Sequence, residues 1–446
     1  MVETESKVLR YESYKDSGME WLGEIPGHWS LGRLGSILNP VSSKNHPNET
    51  LLSITREKGV IVRDMENEAE NHNYIPDDLT GYKLLQAGQF GMNKMKAWQG
   101  SYGVSPYTGI VSPAYYTFEF TKDIEPRFFH LAIRSKLYVS FFGKASDGVR
   151  IGQWDLSKER MKRIPLAIPP LNEQTAIAQF LDDKTTKIDD AIAIKEKQIN
   201  LLKERKQILI HKAVTQGLNP NVKLKDSGVE WIGEIPGHWD IVPVRRIIDV
   251  RDGTHDTPSY VEDEQETYPL VTSKDFVDGK IIFENIKRIS KKDHLNISSR
   301  SGVKQNDVLM SMIGGNIGKS VIVGESDDFS IKNVALFRTR DNFTLGRYLK
   351  YYFESGILDK QIELKSRGGA QGFLSLGDIR NLVFFKIQKE ELKNIVEYIE
   401  SASRKIEIAI SLKFQEITKL KEYKSSLINS AVTGKIKVFY KIKPTN

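Results

Sequence analysis

The sequence predicts an α+β fold: two globular α/β blocks held apart by two long antiparallel helices that pair as a coiled coil, with an internal pseudo-two-fold repeat. Three observations predict it. Apolar residues recur in steps of four and three through Ile188, Ile192, Ile199, Leu202 and Leu209, the spacing of a heptad seam. The same steps return 218 residues later at Ile406, Ile410, Ile417, Leu420 and Leu427, and the lysines that interrupt the seam, Lys195 and Lys206, recur as Lys413 and Lys424. Residues 15–29, KDSGMEWLGEIPGHW, come back as residues 225–239 with two conservative changes. Repetition on this scale is duplication, not chance.

The order along the chain is therefore signature, variable block, helix, then all three again. Four segments are expected: 1–163, signature and first block; 164–217, a strand and the first long helix; 218–381, second signature and second block; 382–446, the second long helix. The first helix leaves one block and leads into the next. The second, if it packs on the first, must run back antiparallel, so the chain is nearly circular and its blocks are expected at opposite ends of a rod. The alternative is two ordinary surface helices.

Within the blocks, about 30–162 and 240–381, the two copies show little obvious resemblance. Short runs rich in β-formers, at 59–62, 115–120, 307–310 and 320–323, are punctuated by glycine and proline. Helical stretches are expected at 126–142 and 345–363. Residues 164–171 read as a strand that Pro169 and Pro170 terminate, with Asn172 as the cap of the helix that follows. The helix counted from Ile188 to Gln216 is expected to run about 29 residues, or roughly 43 Å at ~1.5 Å per residue. Both helices finish in Ala-Val-Thr followed closely by glycine, at Gly217 and Gly434, where a left-handed cap is expected.

Composition narrows the function classes. In 446 residues there are 65 Lys and Arg against 58 Asp and Glu, a net charge of +7 that mildly favours a polyanionic partner such as nucleic acid. The absence of cysteine removes disulfides, zinc-cysteine sites and thiol catalysis together. Residues 1–10 lack a hydrophobic core segment and no apolar run approaches the ~20 residues that span a bilayer, so a cytoplasmic protein with no membrane contact is expected.

Candidate binding residues follow from residue type. From Tyr82 to Phe118 there is no acidic residue, while lysines alternate with aromatics and glycines. Lys94 and Lys96 suit phosphate, Asn93 and Gln99 suit base edges, and Trp98 suits stacking. The alternative is a β-rich core whose aromatics are simply packed. In the second block Thr254, His255, Asn316, Lys319, Lys332 and Asn333 offer comparable donors in polar or Gly-rich loops. Each block then ends in a Gly-rich loop with an arginine and a glutamine, Arg150 and Gln153 in the first, Arg367 and Gln371 in the second.

No catalytic set is found, and no metal set. His255 beside Asp256 has no nearby nucleophile. His28 and His238 sit beside tryptophan in the signatures and read as packing elements rather than metal ligands. Gly314–Gly318 has the wrong spacing for a dinucleotide fingerprint, and there is no Walker loop and no Asn-Pro-Pro-aromatic segment of amino-methyltransferases. Pro76-Asp77 lacks the acid-x-lysine of a common nuclease core.

The duplicated signature, the strand-Pro-Pro-Leu-Asn-Glu-Gln segment at 164–174 and the paired helices ending in Ala-Val-Thr resemble the specificity subunit of Type I restriction-modification systems. The resemblance covers the full chain, although residues 387–391, Ile-Gln-Lys-Glu-Glu, depart from the Pro-Pro-Leu-Asn-Glu-Gln pattern. It implies that each block is a target-recognition domain reading one half of a bipartite, asymmetric site in double-stranded DNA, with the helices setting the unspecified gap. It also implies two methyltransferase subunits and a motor nuclease subunit as partners. S-adenosylmethionine, ATP and magnesium would then sit on those partners and no cofactor on this chain. A coiled-coil interaction scaffold without sequence-specific DNA recognition is the competing reading.

Overall fold

Two prolines and a buried helical face explain where the first long helix begins. In the computed structural model, which describes residues 10–64, 75–150, 153–261, 266–326, 328–365 and 372–438, this helix spans Leu171–Gln216. Glu173 N and Gln174 N both donate to Pro170 O, at 2.9 and 3.0 Å. The Pro170 carbonyl thus opens the helical ladder, and Asn172, expected as the cap, lies in the first turn. The second long helix spans Lys389–Val432. At 46 and 44 residues the helices are about 69 and 66 Å long. Both start well before the heptad seam because their first turns belong to globular cores: Ile177, Ala178 and Leu181 are fully buried, as are Ile395, Val396 and Ile399. A seam-based reading sees only the part that packs helix on helix.

The chain folds as two units, one of residues 1–195 and 414–446, the other of residues 196–413. Each long helix crosses from one unit into the other. The first unit therefore holds the start of the first helix and the end of the second, and the second unit holds the remaining halves. Within each unit the halves are tied by the lysines that break the seam. In the first unit Lys195 meets Glu416 at 2.7 Å and Lys424 meets Asp189 at 2.6 Å, so position rises on one helix as it falls on the other, and the pair is antiparallel. In the second unit Lys206 meets Glu407 at 2.6 Å. The 218-residue offset that turns Lys206 into Lys424 turns Asp189 into Glu407, so this ion pair is one contact made once per unit. The seam residues are the covered ones. Ile188, Ile192, Ile199, Ile406 and Ile417 are buried and Leu202, Leu209, Ile410, Leu420 and Leu427 half-buried, while Ile194, Leu201 and Ile208 on other faces are exposed.

The duplicated signature forms the same small hairpin twice, Tyr14–Asp16 on Glu24–Pro26 and Leu224–Asp226 on Glu234–Pro236. Its closing tryptophan is buried in the core of each unit, Trp29 at 1% exposure and Trp239 at 0%. A buried indole N–H needs an acceptor, and each finds a carboxylate near the start of a long helix. Trp29 Nε1 donates to Glu173 Oε2 at 3.0 Å, with His28 Nε2 2.6 Å from Oε1 and Tyr11 OH donating to Oε2 at 3.2 Å. Trp239 Nε1 donates to Glu391 Oε2 at 3.0 Å, with His238 Nε2 at 2.8 Å. The glutamate is thus what residues 387–391 keep of the Pro-Pro-Leu-Asn-Glu-Gln pattern.

Gly217 and Gly434, at φ +71° and +73°, end the long helices against the same tryptophans, where an added Cβ would lie 3.3 and 3.2 Å from the rings. Tyr14 OH donates to Gly434 O at 3.2 Å, which brings the two ends of the described chain together in one unit, as a nearly circular path requires.

The blocks, whose sequences diverge, share one sheet. In the first unit four strands run in the order Leu38–Val41, Tyr116–Phe120, Phe90–Met92, Tyr102–Val104. In the second the order is Asp249–Asp252, Val334–Arg338, Val308–Ser311, Ser320–Ile322. A helix pair follows the second-listed strand in both, Pro126–Ile133 with Lys136–Lys144, and Phe343–Glu354 with Ile357–Lys365. Both pairs were expected as single helices. The first breaks at Arg134 and Ser135, where Ser135 adopts extended angles. A strand that pairs with the one after the signature then closes each block, Pro165–Ile168 on Ser30–Arg33 and Val383–Lys386 on Asp240–Pro243. The sheet survives divergence because backbone makes the ladder and only its inward positions must stay apolar, as Phe90, Met92 and Phe118 do in one block and Val308, Met310 and Phe337 in the other.

Candidate nucleic-acid interface

The candidate residues gather where the sheet strands give way to loops. In the first block the loop after Phe90–Met92 makes a single 3-10 turn at Ala97–Gln99, stopped by Gly100 in the left-handed region. Beside it lies the hairpin of Ser146–Arg150 and Gln153–Leu156. Leu156 N donates to Lys94 O at 3.1 Å, Lys94 Nζ pairs with Asp155 Oδ2 at 3.0 Å, and the Trp98 and Trp154 rings lie 5.1 Å apart. The structure thus brings together two stretches separated by fifty residues of sequence, with Arg150 and Gln153 opposite one another in the hairpin ladder.

These residues do not all face outward. Lys96 is exposed and Lys94, Trp98 and Gln99 are half-buried. Asn93 is 5% exposed; its Nδ2 donates to Tyr115 OH at 3.3 Å and its Oδ1 accepts from Met95 N at 3.2 Å. An amide with both ends committed inside holds the loop rather than meeting a base edge, which corrects the role expected of Asn93. The hydrogen bond that Lys94 donates to Asp155 raises the lysine's pKa.

In the second block Thr254 and Lys332 bridge backbone to backbone, with Asn333 N donating to Thr254 O at 3.0 Å. Thr254 is 8% exposed and its hydroxyl donates to Asp256 O at 3.2 Å, so its side chain shapes the loop and is not presented outward as expected. His255 is exposed; Nε2 lies 3.0 Å from Asp252 Oδ2 and Nδ1 lies 3.1 Å from Asn333 Oδ1. Its carboxylate partner is Asp252, not the neighbouring Asp256. Lys332 Nζ donates to Thr257 Oγ1. Asn316 and Lys319 are exposed on a loop closed by Ser311 N to Lys319 O at 2.9 Å. That loop is joined to Gly372 by Gly314 N, so the Gly-rich end of the block adjoins it. Arg367 and Gln371 lie outside the described residues.

Sequence reasoning missed several neighbours. Lys44 and Lys158 border the first rim, and Phe373, 56% exposed and 6.5 Å from the His255 ring, borders the second. A cavity of about 470 Å³ lies beside Lys332 and Asn333, walled by Tyr260, Lys274 and Lys287. No spacing in the sequence points to these residues, because the fold alone brings them to the rim. Among the described residues no group of three or more His, Asp or Glu could hold a metal ion, and no helix is long and apolar enough to cross a membrane.

A sheet present twice, with loops that carry basic, amide and aromatic side chains, offers two surfaces of the chemistry that suits nucleic acid. Residues 91–204 match the family model of the Type I restriction modification DNA specificity domain. The chain is 27% identical to the Type I restriction enzyme MjaVIII specificity subunit of Methanocaldococcus jannaschii, over 97% of this chain and 99% of that one. It is also 27% identical to the EcoBI specificity subunit of Escherichia coli, over 61% of this chain and 58% of that one. Two solved structures share the fold. One, from work on complex assembly and conformational transition of the type I R-M system, has a TM-score of 0.66 at 15% identity, covering 92% of this chain and 98% of that one. The HsdS subunit from Thermoanaerobacter tengcongensis has a TM-score of 0.55 at 16% identity with the same coverage. Over nearly its full length the chain is thus similar to specificity subunits of Type I restriction-modification systems, and two of them share its fold.

Proposed function

We propose that this chain is the address subunit of a Type I restriction-modification complex, in which each block reads one half of a bipartite, asymmetric sequence in double-stranded DNA. The observation that carries the reading is the repeated sheet with unlike loops. One scaffold presents Lys94, Lys96 and Gln99 in one copy and His255, Asn316, Lys319, Lys332 and Asn333 in the other. Two copies of one frame with different side chains at the rim recognise two different half-sites. Lysines there position the duplex through its phosphates, while amides and His255 meet base edges.

The long helices, shared by both units, would set the number of unspecified base pairs between the half-sites. The chain supplies no catalytic group of its own. Two methyltransferase subunits, held through the duplicated signatures and helices, would bring S-adenosylmethionine and methylate adenine, and a motor nuclease with ATP and magnesium would cleave, all in the cytoplasm. Arg150, Gln153, Arg367 and Gln371, in the Gly-rich ends of the blocks, belong to the same proposed interface. The test is equilibrium binding of the assembled complex to duplexes that carry or lack the site. Specific binding orders of magnitude tighter than non-specific binding is expected. Equal affinity for both duplexes would leave only a scaffold.

A further inference from the structure

Lysines from three separate stretches of the first block converge on one tyrosine pair, and a fourth, Lys44, lies near Lys83. Lys83 Nζ donates to Tyr115 O at 2.6 Å, and Lys158 Nζ sits 4.3 Å above the Tyr116 ring. Asn93, adjacent to Lys94, donates to Tyr115 OH, and Lys94 reaches Asp155 at 3.0 Å. Leu84 N donates to Ser43 O at 2.8 Å, which sets Lys44 beside the strand of Lys83. Burial, followed by repulsion from Lys158, Lys44 and Lys94, lowers the Lys83 pKa. Like charges held this close cost stability unless an anion joins them. Asp155 answers one of the four, while Lys44, Lys83 and Lys158 make no ion pair among the described residues.

We propose that Lys83, Lys94 and Lys158, gathered around Tyr115 and Tyr116, form with the nearby Lys44 a phosphodiester site that fixes the register of the first block on its half-site. The second block gathers lysines of its own, Lys274, Lys287 and Lys332, on the cavity beside Tyr260.

This inference rests on the DNA-reading function proposed above, and the test separates the two. The complex assembled with its methyltransferase is titrated with its duplex by fluorescence anisotropy across a range of salt, using wild type, Lys83→Met, Lys158→Met and the control Lys162→Met, which breaks a separate ion pair with Glu159. Lys158 is exposed, so its variant tests the site even if Lys83→Met fails to fold. The expected result is a slope of log affinity against log salt shallower by about 1 for Lys83→Met and for Lys158→Met, unchanged for Lys162→Met, with the methylated sequence the same in all four. Wild-type slopes in both site variants would overturn the phosphodiester site and leave the address function standing. Wild-type complex that shows no salt-dependent binding would overturn both. Titration with inorganic phosphate at constant ionic strength is expected to give no saturable heat. A saturable heat abolished by the variants would assign the cluster to a free anion and overturn its role on DNA.

Discussion

Replacing Glu173 with alanine should loosen the junction between the first signature and the first long helix. The Trp29 indole N–H, in a side chain 1% exposed, would lose its acceptor at 3.0 Å. Stranding a buried donor costs about 1–3 kcal/mol. The His28 contact, with the imidazole nearly half exposed, adds at most ~1 kcal/mol. The sum is about 1–4 kcal/mol. For a cooperative unit of this size roughly 2–4 °C accompanies each kcal/mol, so the melting temperature should fall by about 2–16 °C. Differential scanning calorimetry of the full chain reads this directly. Glu173→Gln keeps an acceptor and should lose about half as much, and in a Trp29→Phe background the alanine substitution should cost clearly less, because the donor is gone. Glu391→Ala, which strands Trp239, should behave alike. A Glu173→Ala protein that melts with the wild type would show that the carboxylate is not what holds the tryptophan.

Three further outcomes follow from the same geometry. Lys206→Glu places like charges against Glu407 and should destabilise by about 1 kcal/mol, with Glu407→Lys restoring part of the loss in a double-mutant cycle; the coupling is small because both side chains are partly exposed. His130 is held neutral by burial and by Arg134, its pKa pushed down to about 4, and its Nδ1 accepts from Val104 N at 3.2 Å. The unfolded chain therefore binds the extra proton between pH ~6.5 and 4, and stability, intact above that window, should fall by up to ~1.4 kcal/mol per pH unit within it. Denaturant titrations of wild type and His130→Gln check this, and equal acid sensitivity would refute it. Exchanging residues 30–162 for the corresponding block of a relative should change one half of the methylated sequence and leave the other, as mapped in cells; a change in both halves would refute modular reading.

The architecture was legible because it is periodic. The heptad steps located the seam, the duplicated signature set the order of the segments, and Gly217 and Gly434 marked the helix ends. Pro170 and Asn172 marked the start of the first helix to within a residue, but the length counted from Ile188 fell short because residues 171–187 pack into a globular core, where heptad spacing gives no signal. Residues 387–391 looked divergent because a motif was read as a string, whereas the constraint is one carboxylate that meets one indole. The candidate interface was legible only in part. Lys94, Lys96 and His255 reach the rim, but Asn93 and Thr254 turn inward, and whether an amide or hydroxyl faces out depends on the loop that carries it. Lys44 and Lys158 were invisible because only the fold brings Lys158 over Tyr116 and Lys44 near Lys83.

The most direct test maps methylated adenines in DNA from cells that express this chain with the proposed methyltransferase partner, against cells that express the methyltransferase alone. The account predicts one bipartite, asymmetric motif that appears only when this chain is present. Identical maps from the two cultures, with the complex shown to assemble, would contradict it.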